Sequence, residues 1–452
     1  MNYDFDLIVI GSGAGGSVGA HYAASLGEKV AIFEEGAIGG ECPNFGCVPT
    51  KGLLFAAEVY ETAKTAGFFG INTGEVSFDY RKIKEWREMV VSRTGATHGE
   101  ESFQKDGMSL IKSRATLKSA HEVEAEGKTY SVEFILLASG TEVFVPPIPG
   151  LAESGHITFR EAIDFEAPPK SIFILGGGPI GCEFAQLFSA FGSEVYIADV
   201  LPRLLAREDK EVGDLVQALF ENKGIKVLTG VNIGRVTKNG EQKTIYYTKD
   251  GKENVAAADH LLVATGKKPL LSFAPEKAGI VVDKKGPVVN EYLQTSVPNI
   301  FAAGDLIGPY QFTHTGYYQS YIAAHNAFSA EKIKVDYSSV PRCTFVSPEA
   351  ASVGITEDQA REKGIVLKVG TAPISILGRA NTTNQFDGFA KILVDQDGTV
   401  VGGSVVCSRA GEVIHEVALA VKLKAKASDL AEMIHAYPTY SEAIKIACAN
   451  IE

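Results

Sequence analysis

The sequence predicts an α/β fold with two three-layer units of parallel strands and helices, followed by a separate α+β segment at the C-terminus. Three observations carry this. An apolar run, Phe5–Ile10, leads through Gly11-Ser12-Gly13-Ala14-Gly15-Gly16 into a helical stretch and then a second apolar run, Val30–Phe33, ending on Glu34. The same pattern recurs at Ser171–Leu175, Gly176-Gly177-Gly178-Pro179-Ile180-Gly181, a helical stretch through Phe191, and an apolar run over 195–198 ending on Asp199. After Val340 the texture changes to short β-like runs at 390–394 and 400–406, then helical stretches over 411–425 and from about Ser441.

The spacings of the two repeats match, since Gly11 to Glu34 and Gly176 to Asp199 both span 23 positions. Each reads as a Rossmann-like βαβ unit. The first glycine permits a tight turn, the second lets backbone approach a pyrophosphate, and the third lets helix and strand pack closely. The helix N-terminus holds the phosphates, and the acid ending the next strand accepts hydrogen bonds from a ribose. Two dinucleotide sites follow, and Asp199 would repel the extra phosphate of NADP, so NAD is the expected nicotinamide cofactor. Between the copies, a buried run over 134–138 ends in Ser139-Gly140, and one over 261–264 ends in Thr265-Gly266. Each marks a crossing between domains.

At 452 residues the chain is long enough for two to four domains, and its 47 glycines suit nucleotide-binding loops. With 43 basic against 55 acidic residues, net −12, and no basic run, nucleic acid is not an expected partner. The N-terminal stretch lacks the basic and apolar regions of a signal peptide, and no apolar run reaches the roughly 20 residues of a membrane helix. A cytoplasmic protein away from the membrane is expected. Six cysteines are too sparse for a secreted disulfide framework, so a close pair reads as catalytic or metal-binding.

Cys42 and Cys47 are such a pair, within Gly39-Gly40-Glu41-Cys42-Pro43-Asn44-Phe45-Gly46-Cys47-Val48-Pro49-Thr50-Lys51. On a regular helix five positions rise about 7.5 Å, too far for a disulfide, so the turn between them must be distorted. Pro43, lacking a donor, and Gly46, free to adopt positive φ, are expected to distort it.

Together with Ile300-Phe301-Ala302-Ala303-Gly304-Asp305 and His435-Ala436-Tyr437-Pro438-Thr439-Tyr440-Ser441-Glu442, these motifs make nearly the whole chain resemble the pyridine nucleotide-disulfide oxidoreductases. That family includes dihydrolipoamide dehydrogenase, glutathione reductase and mercuric reductase. The resemblance implies FAD on the first βαβ unit and NAD(H) on the second. It also implies a redox disulfide between Cys42 and Cys47, and a C-terminal domain that forms a homodimer whose active sites draw on both subunits. Expected domains are FAD-binding at 1–147 and 268–338, NAD-binding at 148–267, and interface at 339–452. Cys47 resembles the sulfur beside the flavin, Cys42 the sulfur that attacks substrate, and Lys51 the flavin-side lysine that pairs with a glutamate, here Glu183. Asp305 falls where the family holds the ribityl and phosphate part of FAD. Glu35, Gly40, Ala115, Ser139, Gly140, Gly266, Gly304, Phe312, Thr313 and His314 complete the expected cofactor contacts, with the glycine motifs, Pro179, Ile180, Glu34 and Asp199.

One position departs from the pattern. Disulfide-reducing members carry a histidine before the C-terminal proline, paired with a glutamate five residues on, as acid–base. This chain has Tyr437 there, with Glu442 in register. Tyrosine titrates near 10, so weak turnover of lipoamide-like disulfides is expected. His435, two positions earlier, is the alternative acid–base. Tyr437 and the stretch Phe312-Thr313-His314-Thr315 resemble the mercuric reductase branch, but the chain ends Cys448-Ala449-Asn450-Ile451-Glu452 without that branch's vicinal cysteines. Cys182, Cys343, Cys407 and Cys448 read as core thiols, and the histidines, His98 among them, show no ligand spacing, so no metal cofactor is expected. The leading function is electron transfer from NADH through FAD and the disulfide to a small-molecule oxidant or disulfide. The alternatives are a diaphorase, quinone reductase or transhydrogenase acting from the flavin, a mercuric reductase-like metal reductase, and a flavin-bound redox sensor.

Overall fold

A computed structural model of the chain describes residues 3–94 and 99–451, so His98 and Glu452 lie outside the described residues. The chain divides into two compact units. The first holds the residues up to Gly52, Lys82–Phe144 and Gly266–Val335; the second holds Leu53–Arg81, Val145–Thr265 and the residues from Asp336 on. The α/β class stands.

In the first unit, Ser109–Ile111, Val30–Phe33, Phe5–Ile10 and Lys128–Leu137 lie side by side and parallel, and Ile300–Ala302 also pairs parallel with Lys128–Leu137. Strands buried on both faces should read as unbroken apolar runs, and Leu7, Ile8 and Val9 are at most 1 % exposed. One face packs against the helices Ala14–Ser25 and Thr313–Phe328. The other packs against the antiparallel pair Thr116–Ser119 and Glu122–Ala125.

The second unit repeats the plan: Lys226–Thr229, Glu194–Asp199, Ser171–Leu175 and His260–Val263 run parallel in the same relative order. Three antiparallel strands over 232–258 form a meander between Lys226–Thr229 and His260–Val263. Beyond Asp336, a five-stranded antiparallel sheet carries Ala410–Leu423 and Glu442–Ala449 on a core that includes Val405, Ile414, Val417, Ala443 and Ile444. The α+β texture of the C-terminal sequence is realised in this sheet. Among the described residues no helix is long and apolar enough to cross a membrane.

Candidate active site

The glycine motifs shape two equivalent crevices. Gly11 has φ +106° and Gly176 φ +119°, and an added Cβ would lie 2.2 Å from Ala138 O or 2.3 Å from Ala264 O. At the third glycines the crowding is closer still, 2.0 Å from Gly11 O at Gly16 and 1.9 Å from Gly176 O at Gly181. No side chain larger than hydrogen fits these four places. The middle glycines, Gly13 and Gly178, are the N-caps of Ala14–Ser25 and Pro179–Ala190, and neither helix has a side-chain cap. A Cβ at Gly178 would meet nothing within 4 Å. Open N–H groups at the start of a 12-residue helix suit a pyrophosphate.

The strand-end acids are anchored alike. The Glu34 carboxylate accepts from Ser12 N at 2.9 Å and Gly36 N at 2.7 Å, and the Asp199 carboxylate accepts from Gly177 N at 2.6 Å and Leu201 N at 2.8 Å. Ser12 Oγ also donates to Glu34. These bonds fix each acid at the crevice mouth, where a ribose would lie. Glu35 points elsewhere, accepting from Ser272 Oγ at 3.4 Å.

The cysteine segment follows the first crevice. Gly39 and Gly40, at φ +86° and +73°, turn the chain into the one-turn helix Glu41–Asn44. Phe45 N and Gly46 N both donate to Glu41 O at 2.8 Å, and a new helix starts at Cys47 and runs to Thr65. The break brings the two sulfurs together. Gly46 corrects one expectation, because its φ is not positive. It sits instead where the turn is tight, since a Cβ there would lie 3.3 Å from Glu41 O and 3.4 Å from Cys42 Cα.

Cys42 is half-buried and Cys47 exposed. The Cys42 thiol is pushed far above its ordinary range, chiefly by its hydrogen bond with Cys47 and then by burial. Thr313, the first residue of the Thr313–Phe328 helix, places its hydroxyl 3.5 Å from Cys47 Sγ and also bonds the Cys42 thiol. Tyr317, one turn on, is held above its usual pKa by burial and by the two sulfurs. Phe312 and His314 stack at 5.3 Å. Lys51 stands one turn beyond Cys47 on the same helix. In the second unit Glu183 is 4 % exposed and accepts from Phe345 N at 3.1 Å.

These features decide the family. The chain belongs to the pyridine nucleotide-disulphide oxidoreductases. Residues 5–330 match that family, and 340–448 match its dimerisation domain. The chain is 34% identical to a mercuric reductase of Staphylococcus aureus, over 99% of this chain and 83% of that protein. It is 36% identical to a dihydrolipoyl dehydrogenase of Thermus scotoductus, over 97% and 96%. The structure of the HOCl-induced flavoprotein disulfide reductase RclA of Escherichia coli superposes with a TM-score of 0.87 at 28% identity, covering 98% and 99% of the two chains. A Cu(II) complex of RclA gives 0.88. FAD and NAD(H) are the cofactors of this family of oxidoreductases, and both crevices fit a dinucleotide.

Around this site Ala115 is buried, Ser139 Oγ donates to Leu270 O at 2.7 Å, and Gly140 and Gly266 turn at φ +73° and +110°. Gly304 N donates to Gln319 Oε1 at 2.8 Å. Asp305 accepts from Thr141 at 3.4 Å and faces Lys267 Nζ at 3.5 Å. Lys267 also pairs with Glu41. Sequence reasoning missed Lys267 and Glu41, although each adjoins a motif, one after Thr265-Gly266 and the other before Cys42.

The C-terminal segment corrects a second expectation. Glu442 does not pair with Tyr437; its carboxylate accepts from Thr439 N at 3.2 Å, closing the start of the Glu442–Ala449 helix. Tyr437 is 77% exposed. Its ring lies over Gly378, where an added Cβ would be 2.6 Å from the Tyr437 hydroxyl. His435 Nδ1 is 3.1 Å from Met433 O, and Nε2 is 2.9 Å from Glu416 Oε1. Both ring nitrogens are therefore committed. Cys182 is fully buried and raised by desolvation, while Cys407 and Cys448 are each pushed up to about 12 by burial. Among the described residues no group of three His, Cys, Asp or Glu side chains could hold a metal.

Proposed function

We propose that this enzyme takes electrons from NADH through FAD to the Cys42–Cys47 pair and delivers them to an acceptor other than lipoamide, working as a homodimer. The observation that carries this is the thiol pair itself, two sulfurs in a broken helix facing the Thr313 hydroxyl. FAD, when bound, supplies two-electron chemistry between a nicotinamide and a disulfide. The chain's residues hold and orient. Gly13 and Gly178 open the helix ends to pyrophosphates, Glu34 and Asp199 take the riboses, and Asp199 selects NADH over NADPH. Lys51, one turn beyond Cys47, is the lysine at the flavin, and Cys42 is the sulfur that meets the acceptor.

The choice of acceptor rests on protons. Exchange with an organic disulfide needs an acid–base group beside the attacking thiol, worth roughly 10²–10⁴-fold. Tyr437 lacks its glutamate, and His435 is committed to Glu416 and Met433. A thiophilic metal ion needs only thiolates. The names of the mercuric reductase relatives and of the RclA Cu(II) complex favour this second substrate class.

The test is anaerobic titration of the yellow holoenzyme with NADH, followed at the long wavelengths where a thiolate beside the flavin absorbs. The band is expected in wild type and absent in Cys47→Ser. Flavin bleaching in wild type without it would sink the disulfide route and favour direct reduction of a quinone or nucleotide. Lipoamide turnover comparable to that of a dihydrolipoyl dehydrogenase would sink the acceptor reading.

A further inference from the structure

Lys267 is an unusual lysine for its place. Its side chain is 14% exposed, and its ammonium lies between the carboxylates of Glu41 and Asp305. Burial alone would lower its pKa, but these carboxylates and the Cys47 sulfur hold it above its ordinary value, so it stays charged. Burying an ammonium costs several kcal/mol, which its partners offset only when the geometry is good. A cation kept buried at that cost beside a redox pair calls for a use.

Glu41 supplies the mechanical half. It is the residue before Cys42, its carbonyl accepts from Phe45 N and Gly46 N inside the broken turn, and its carboxylate reaches Lys267. Lys267 begins the short strand Lys267–Pro269, which pairs antiparallel with Thr141–Val143. The turn bearing Cys42 is thus tied to a strand 226 positions away.

The electrical half follows from the charge that reduction creates. When two electrons from NADH open the Cys42–Cys47 bond and one proton goes to Cys42, a single new negative charge is left on Cys47. The groups around it are Cys42 on the turn, Thr313 and Tyr317 on the Thr313–Phe328 helix, Lys51 one turn along its own helix, and Lys267, which pairs with Asp305 and with Glu41, the residue before Cys42. Burial holds Asp305 above its ordinary pKa, against the opposing pull of Lys267. Thr313 and the Cys42 thiol are neutral, so Lys267 is the cation that the strand side offers the sulfur.

We propose that Lys267 is a positioning residue, which makes Cys47 a thiolate at neutral pH, and that Glu41 both tethers it to the redox turn and moderates its charge. This rests on the reading of Cys42–Cys47 as the electron carrier.

The experiment is site-resolved alkylation. Anaerobic holoenzyme reduced with dithiothreitol is pulsed with iodoacetamide across a pH series, and Cys47 labelling is read by mass spectrometry. Lys267→Met should raise the midpoint by about one pH unit, making labelling at neutral pH roughly tenfold slower. Lys267→Arg should restore the wild-type midpoint. Glu41→Gln should move the midpoint down, because it removes a negative charge. A general loosening of the turn would move Lys267→Met and Glu41→Gln the same way, and that result, or an unmoved Lys267→Met midpoint, overturns the proposal. If Lys267→Met fails to fold, Glu41→Gln decides alone: a lowered midpoint supports the assignment, and an unmoved or raised one overturns it. The NADH titration of Cys47→Ser separately tests the electron-carrier reading, so the two failures are distinguishable.

Discussion

The two glycine repeats share strand order, backbone contacts and acid anchoring, yet the chain beyond each acid is put to different use. After Glu34 it becomes the broken turn with Cys42 and Cys47, and its Glu41 meets the buried Lys267. After Asp199 it leads to Glu208-Asp209-Lys210-Glu211, where Glu208 meets Arg342 and both Asp209 and Glu211 meet Lys391. Lys391 is 2% exposed and also pairs with Glu357 at 2.7 Å. Both copies end on carboxylates held by a buried cation. Only the first cation faces thiols. Duplicated architecture fixes where a cofactor lies, and the added segment decides whether the place is reactive or structural.

The strongest way to break this comparison is to crowd each third glycine. Gly16→Ala should give protein without bound flavin, because its Cβ would collide with Gly11 O. Gly181→Ala should keep the yellow colour but raise the KM for NADH roughly 100-fold, about 2.7 kcal/mol of binding. Flavin absorbance at purification and steady-state kinetics read both. Equal loss of flavin in the two variants would show that the copies do not act independently.

A second test addresses the structural cation. Lys391→Met leaves Asp209, Glu211 and Glu357 without their shared partner and should cost about 3–5 kcal/mol of stability at neutral pH. The sign with pH is distinctive. Asp209 is already held above its ordinary pKa by burial, against the pull of Lys391, while Glu211 is held below its own, against burial, by a backbone hydrogen bond and by Lys391; without the lysine both rise. The penalty should shrink as pH falls from about 7 toward 5 and protons replace the missing charge. Denaturant melts across pH would check it, and a constant penalty would assign Lys391 a packing role instead.

The smallest expected effect sharpens the difference between the acids. Asp199→Asn keeps an acceptor for Gly177 N but removes the charge that opposes a 2′-phosphate. The ratio of kcat/KM for NADPH to that for NADH should rise about tenfold, some 1.4 kcal/mol. An unchanged ratio would place nucleotide selection elsewhere.

Much of this was legible in the sequence because local rules point one way. The stretches Leu7–Ile10, Val30–Phe33 and Ile172–Leu175 are unbroken apolar runs, and fully buried parallel strands need that pattern. The crowded glycines are legible because their motif is a steric requirement. The ion pairs were not, since Glu41 and Lys267 carry no local mark of meeting, and Lys391 looks like one polar residue in a strand. Tyr437 and Glu442 failed for a different reason. Their spacing suggests a pair, but a carboxylate at the start of a helix finds backbone N–H groups close by, and Thr439 N takes it.

The ring of Tyr437 resting on Gly378 has a consequence for how this enzyme can change over generations. A methyl group at 378 would lie 2.6 Å from the tyrosine hydroxyl, so the ring must swing aside to admit it. The ring is exposed and free to do so. Gly378→Ala is therefore accommodated by displacing Tyr437, and a change at 378 retunes where the tyrosine sits without touching residue 437.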